Sequence, residues 1–228
     1  MALKVWYRLG GTLDSSGNNL TLTGANSPGV TRGALGEVNG ASTYNGNTSA
    51  PQYHIRSAAT ALSVTDNFSL SAKIHPTAYQ STNYFGLQNG IMAKGPATTY
   101  NWSMQVSSAT SVAFCKRTGA ESLIFRTFTG LPTLTNTWTT VTMVITGGNV
   151  SLYLNGAYNS QQAISNIAPG ASDNLFVGAM AGGTGTAVTS FTGYLDDVRM
   201  YDHALSVDEI RLIHQQGESA SLNFFNAF

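Results

Sequence analysis

The residues able to do acid–base, nucleophilic or metal chemistry are few: 11 Asp and Glu, four His and one Cys in 228 positions. Cleaving a glycosidic bond takes two carboxylates that flank it. Glu37, Glu121, Glu209 and Glu218 are scattered instead, and no Glu has an Asp two places after it. Asp196 and Asp197 adjoin, but neighbours on a regular strand face opposite sides, which makes them a poor acid–base pair. His54, His75, His203 and His214 show no metal-ligand spacing. Cys115 lies in the apolar run Ser-Val-Ala-Phe-Cys with no His nearby, so it reads as a buried, inert thiol. With no second cysteine there is no intrachain disulfide. No Gly-rich phosphate loop joins a strand to a helix, and Gly182-Gly183-Thr184-Gly185 reads as a flexible loop. A non-enzymatic role is therefore expected.

Binding has better material. Sugars stack their apolar faces on aromatic rings while polar side chains read their hydroxyls. The stretch 77–90 places Tyr79, Tyr84 and Phe85 among Asn83, Gln88 and other amides, and Tyr44 lies near Asn45 and Asn47. These six, Tyr44, Tyr79, Asn83, Tyr84, Phe85 and Gln88, are the carbohydrate-facing candidates. Their alternative is to fold back on the edge of the domain. Trp6, Trp102 and Trp138 are assigned to the core.

The elements that must position these residues are strands. Phe68, Leu70, Ala72 and Ile74 alternate with Ser69, Ser71 and Lys73. The period of two recurs at Tyr100–Val106, Val141–Ile145 and Val150–Leu154, the mark of strands with one buried face. Gly147-Gly148-Asn149 and Asn155-Gly156 are hairpin signals. Gly and Pro clusters near 24–36, 86–96, 130–132, 169–170 and 182–185 predict loops. In the strand expected over 191–201, Leu195 and Val198 can share the core only across a bulge at Asp196-Asp197. One helix is expected, over 206–216. Ser206 and Glu209 form a capping box, Leu205 and Ile210 a hydrophobic staple, and Gly217 follows as C-cap.

Charged residues make up only 10% of the chain and the formal net charge is +0, which gives no case for nucleic acid or an anionic membrane. So little charge suits a subunit packed against others. No window is long and apolar enough to span a membrane, and Met1–Gly10 does not read as a signal peptide. The tail 219–228 is apolar. Leu222, Phe224, Phe225 and Phe228 either cover the domain's own sheet or form an interface, so a homo-oligomer or a larger assembly is expected.

Three stretches carry a family resemblance: VWYRLGGTLDSSGNNLTLTG (5–24), TWTTVTMVITGGNVSLYLNGAY (137–158) and YLDDVRMYDHALSVDEIRLIHQQG (194–217). Together they resemble laminin-G-like and pentraxin-like jelly rolls of the concanavalin A-like lectin/glucanase superfamily. The resemblance implies an all-β, two-sheet antiparallel jelly-roll sandwich with one short C-terminal helix, over 1–218. It also implies that the first and last strands are neighbours. Asp14, Asn18 and Asp196 are then candidates for a structural calcium ion, against the simpler reading of an Asx turn and a bulge. No other cofactor is expected.

Function within this resemblance is open. The reading adopted is a lectin-like recognition or adhesion module in a virion, such as a phage capsid decoration, head fibre or tail subunit. Its partner is a glycan or another virion or surface protein. A secreted or cell-surface carbohydrate-binding domain is the alternative. A polysaccharide lyase, on Gln52-Tyr53-His54, is third, and the lyases' Arg-rich and Tyr-Phe-Lys strands are missing. A location in a virion or outside the cell is expected.

Overall fold

The computed structural model describes residues 2–79, 89–95, 102–118, 122–164, 173–181 and 187–215. Its first strands are β1 (Leu3–Tyr7), β2 (Thr23–Ala25), β3 (Gly29–Thr31), β4 (Ala41–Asn45), β5 (Tyr53–Arg56) and β6 (Phe68–Pro76). There follow β7 (Gly90–Lys94), β8 (Trp102–Ser108), β9 (Ser111–Thr118), β10 (Ser122–Phe128), β11 (Thr139–Thr146) and β12 (Asn149–Leu154). The last are β13 (Ala157–Ala163), β14 (Leu175–Val177), β15 (Ala179–Ala181), β16 (Ala187–Ser190) and β17 (Thr192–Tyr201), then helix α1 over 207–215.

Among these strands, one antiparallel sheet has the order β13-β12-β11-β6-β17-β4-β3, with β1 also on β17. The second has the order β10-β9-β8-β7-β14-β5-β2, and β15-β16 form a small ribbon. The two larger sheets pack as the expected jelly-roll sandwich. Strand phase decides what lies between them. Phe68, Leu70, Ala72 and Ile74 of β6 are fully buried and join Met143, Leu152, Trp102 and Met104 in the core. Both hairpin signals hold, with Gly147, Gly148, Asn155 and Gly156 all at positive φ. Two loop expectations do not: 24–36 contains strand β3 (Gly29–Thr31) and the end of β2, and Gly90–Lys94 is strand β7, fully buried between β8 and β14.

The outer face of the first sheet is roofed in two places. Helix α1 lays Leu205, Ile210 and Ile213 on Val144 and Tyr201. The capping box forms: Ser206 N donates to Glu209 Oε2 at 2.8 Å, and Glu209 N to Ser206 Oγ at 3.3 Å. Ser206→Ala should cost about 1 kcal/mol in urea unfolding, since one helical donor loses its acceptor. The expected C-cap Gly217, the tail residues Leu222, Phe224, Phe225 and Phe228, and Tyr100 lie outside the described residues. The loop 33–40 makes the other roof. Gly33 N and Gly40 N both donate to Glu37 O, at 2.9 and 3.2 Å. Gly10 lies so close to Asn39 O that a Cβ there would meet it at 1.5 Å.

Candidate functional site

Between these two roofs the outer face of the first sheet keeps an open groove. Its larger part has a volume of about 780 Å³ and is lined by Trp6, Arg8, Glu37, Lys73, Asp196 and Arg199 among others. A smaller recess shares Leu35 and Lys73 with it and runs on to Trp138, Asn155 and His214.

The floor is built by a bulge. β17 pairs with β6 on one side, and its register shifts between Asp196 and Arg199. Asp197 takes φ 51, a left-handed conformation open to Asp and Asn at lower cost than to most residues. The extra residue returns Leu195 and Val198 to the core, as expected, and turns both carboxylates toward the groove. The opposite-face expectation for this pair is thus corrected by the bulge.

Asp197 is a hub. Arg199 grips it with Nε to Oδ1 at 2.8 Å and Nη2 to Oδ2 at 3.0 Å. Trp6 Nε1 donates to Oδ1 at 2.5 Å, and Lys73 Nζ lies 3.7 Å from Oδ2. Burial pulls the Arg199 guanidinium down, but the charge and hydrogen bonds of Asp197 carry it above its ordinary range. The guanidinium also lies over the Trp6 ring, 4.4 Å from its centroid, and that of Arg8 lies 4.9 Å away. Each contact contributes roughly 0.5–2 kcal/mol.

Asp196 sits apart from this lattice. Its Oδ2 accepts from Ala34 N at 3.1 Å, which ties loop 33–40 to the sheet. Burial pushes its carboxyl up to about 6; the Ala34 amide opposes this, and the charges of Asp197 and Glu37 add to it. At the far end His75, Trp138 and Tyr194 form an aromatic group, with centroids 5.2–6.4 Å apart. All three are half-buried and face outward.

Trp102 is in the core as expected, but Trp6 and Trp138 are corrected to the outer face. Tyr44 is corrected in the opposite sense. It is 2% exposed on β4, points inward, and its hydroxyl meets His54 Nδ1 at 2.9 Å. No sugar can stack on it there. Tyr79 is half-buried against the core, with its hydroxyl on Thr135 Oγ1 at 2.9 Å. Asn83, Tyr84, Phe85 and Gln88 lie outside the described residues.

The proposed calcium ligands do not gather. Asp14 accepts from the amides of Trp6, Ser16 and Leu20 and from the Ser16 hydroxyl, at 2.8–3.1 Å. Burial opposes ionisation, yet these four donors hold its carboxyl below the usual range. Asn18 turns Nδ2 onto the carbonyls of Leu3 and Lys4. The Asp14 oxygens are thus engaged by donors of its own turn, while Asp196 serves loop 33–40. Among the described residues no three His, Cys, Asp or Glu side chains form a metal-binding group.

The lyase residues also disperse. His54 is buried and pushed down to about 4 by burial, so it is neutral at pH 7. Gln52 bonds Ser27 O, and Tyr53 packs on Phe176. Cys115 is fully buried, and burial pushes its thiol up to about 12.

A family model of laminin-G type, described as the concanavalin A-like lectin/glucanases superfamily, matches residues 45–211. The chain belongs to this superfamily. Curated protein sequences give no match. Solved structures agree on the fold. Domain 4 of AbnA, an extracellular arabinanase of family GH43 from Geobacillus stearothermophilus in complex with arabinotriose, superposes with a TM-score of 0.66 at 15% identity. That match covers 94% of this chain and 98% of the other. The binding domain of botulinum neurotoxin DC, in complex with SialylT, gives 0.68 at 13% identity, over 95% of this chain and 51% of the other. The binding domain of Paraclostridial Mosquitocidal Protein 1 gives 0.66 at 15% identity, over 99% and 53%. The chain therefore spans about half the length of these toxin domains. At such identities the likeness establishes the fold and no more. Among the described residues no helix is long and apolar enough to cross a membrane.

Proposed function

We propose that this superfamily domain is a non-catalytic recognition module that binds an oligosaccharide in the groove on the outer face of its first sheet. The observation that carries the reading is the groove itself. It combines outward aromatic rings around Trp138 with polar groups already fixed by bonds to one another. Its larger part, beside Trp6 and Arg8, has a volume of about 780 Å³, within the range of about 300–1,000 Å³ usual for ligand sites. Polar groups held in place before binding lose little freedom on contact. The arabinanase domain and the neurotoxin domain, each solved with a glycan, lend the reading support from the same fold.

The test is titration calorimetry against a panel of plant, bacterial and animal oligosaccharides. Trp138→Ala should weaken binding at least tenfold with the melting temperature nearly unchanged. Tyr79→Ala should cost stability instead, because its ring packs on the core. Binding that survives Trp138→Ala but vanishes with Tyr79→Ala would move the site to the 77–90 loop and overturn this placement.

The setting we propose is display on a larger assembly outside the cell, above all a virion surface, as a capsid decoration, head fibre or tail subunit. Sparse charge supports it, since a freely soluble monomer is better protected by more. Co-sedimentation with intact particles is the expected result. A monomer that never sediments with particles would refute the setting and leave the groove untouched.

A further inference from the structure

Six charged side chains line the groove, and among the described residues five have a hydrogen-bond or ion-pair partner inside the protein. Asp197 is held by Arg199 and Lys73, and they by it. Glu37 Oε2 accepts from Leu35 N at 2.9 Å, and Asp196 Oδ2 from Ala34 N at 3.1 Å. Arg8 is the exception. It is exposed, it lines the groove, and among the described residues it forms no ion pair. Its guanidinium lies over Trp6, 4.9 Å from the ring centroid.

That ring is itself held by two other side chains. Asp197 fixes Trp6 Nε1, and Arg199 contacts the same ring. Arg8 is thus a cation on a rigid aromatic support, with no ion-pair partner among the described residues. A guanidinium is weakly hydrated, and its fork matches a carboxylate with two parallel hydrogen bonds. Among the described residues none of the acids that line the groove forms an ion pair with it. A neutral sugar leaves this group without a use, whereas a sugar bearing a carboxylate completes it.

Resting on the glycan reading above, we infer that the groove selects acidic glycans, with Arg8 receiving the carboxylate of a uronate or sialic acid residue. The remaining sugar units lie toward Lys73 and Trp138, where the two parts of the groove join.

The experiment compares matched pairs on the intact chain: trigalacturonate against its methyl ester, and 3′-sialyllactose against lactose. At least one acidic member should bind ten times more tightly than its neutral partner, with an affinity that falls as salt rises. In Arg8→Gln the acidic member should drop to the level of its neutral partner, and Arg8→Lys should keep part of the difference. A cooperative thermal transition, lowered only by the lost contact with Trp6, confirms that the variants fold. Neutral members binding as well as acidic ones would overturn the inference and leave the glycan reading standing. An acidic preference that persists in Arg8→Gln would overturn it too. Failure of every member to bind wild-type protein would remove the glycan reading, and the inference with it.

Discussion

Asp197→Ala should destabilise the fold by about 3–5 kcal/mol, measured by urea unfolding at pH 7. The residue is 8% exposed, and Arg199 beside it is 5% exposed. Removing the carboxylate leaves the Arg199 guanidinium buried without its two-pronged partner and takes the nearest counter-charge from Lys73. Trp6 Nε1 loses its acceptor as well. Alanine also fits poorly at φ 51. Asp197→Asn separates these causes. It tolerates the backbone and returns one acceptor but no charge, so it should fall between alanine and wild type. An alanine variant within 1 kcal/mol of wild type would mean that the two buried cations find another partner, and the hub would not be what holds the groove floor.

Asp196→Asn should act in the opposite direction, raising stability by about 3 kcal/mol at pH 7.5. The folded state pushes this carboxyl up to about 6, from its ordinary value of 3.8. Burial is the main cause, and Asp197 and Glu37 crowd it further. The ionised form is therefore disfavoured by folding. Between about pH 4 and 6 the folded chain holds a proton that the unfolded chain releases, so this site's contribution to stability falls as pH rises through that window. Above pH 6 the full cost is present, at about 1.4 kcal/mol for each pH unit separating the two states. Asparagine removes the charge and can still accept from Ala34 N. The difference between variant and wild type should be largest at pH 7.5 and close to zero at pH 4. A difference that grows on acidification would show that the carboxylate is stabilised in place.

Much of this architecture was legible from alternation. β6 could be read because Ser and Lys occupy every second position, which fixes the phase. So could the bulge, because Leu195 and Val198 cannot otherwise share a core. The groove was harder. Val5-Trp6-Tyr7 is apolar throughout, so periodicity cannot say which residue faces out. Val5 and Tyr7 are the two fully buried, and the Tyr7 hydroxyl reaches Leu20 O at 2.7 Å. Tyr44 misled for the converse reason. Its polar neighbours suggest a loop, but it occupies an inward position of β4, and Gly178 makes room for its ring. The signals for the groove were Lys73, a cation on the polar phase of β6, and Arg199, a cation two residues past the bulge. Trp138 offered a weaker one, set between two threonines just before β11. None of them shows that loop 33–40 folds back over the sheet. That depends on close approach at Gly10, Gly33 and Gly40, which no local pattern records.

The pairing of β1 with β17 has a consequence in time. Trp6 meets Asp197 across 191 positions of chain, and Arg8 comes from the same early segment. Closing so long a loop is a slow, entropically expensive step that gains little until the strands between have docked. The groove floor therefore cannot exist in a half-folded intermediate, however complete the hairpin of β11 and β12 already is. During synthesis the arginine and tryptophan emerge first and wait for almost two hundred residues before their partners arrive. Ligand binding, on this view, reports completion: a chain that recognises its target has already closed its sandwich.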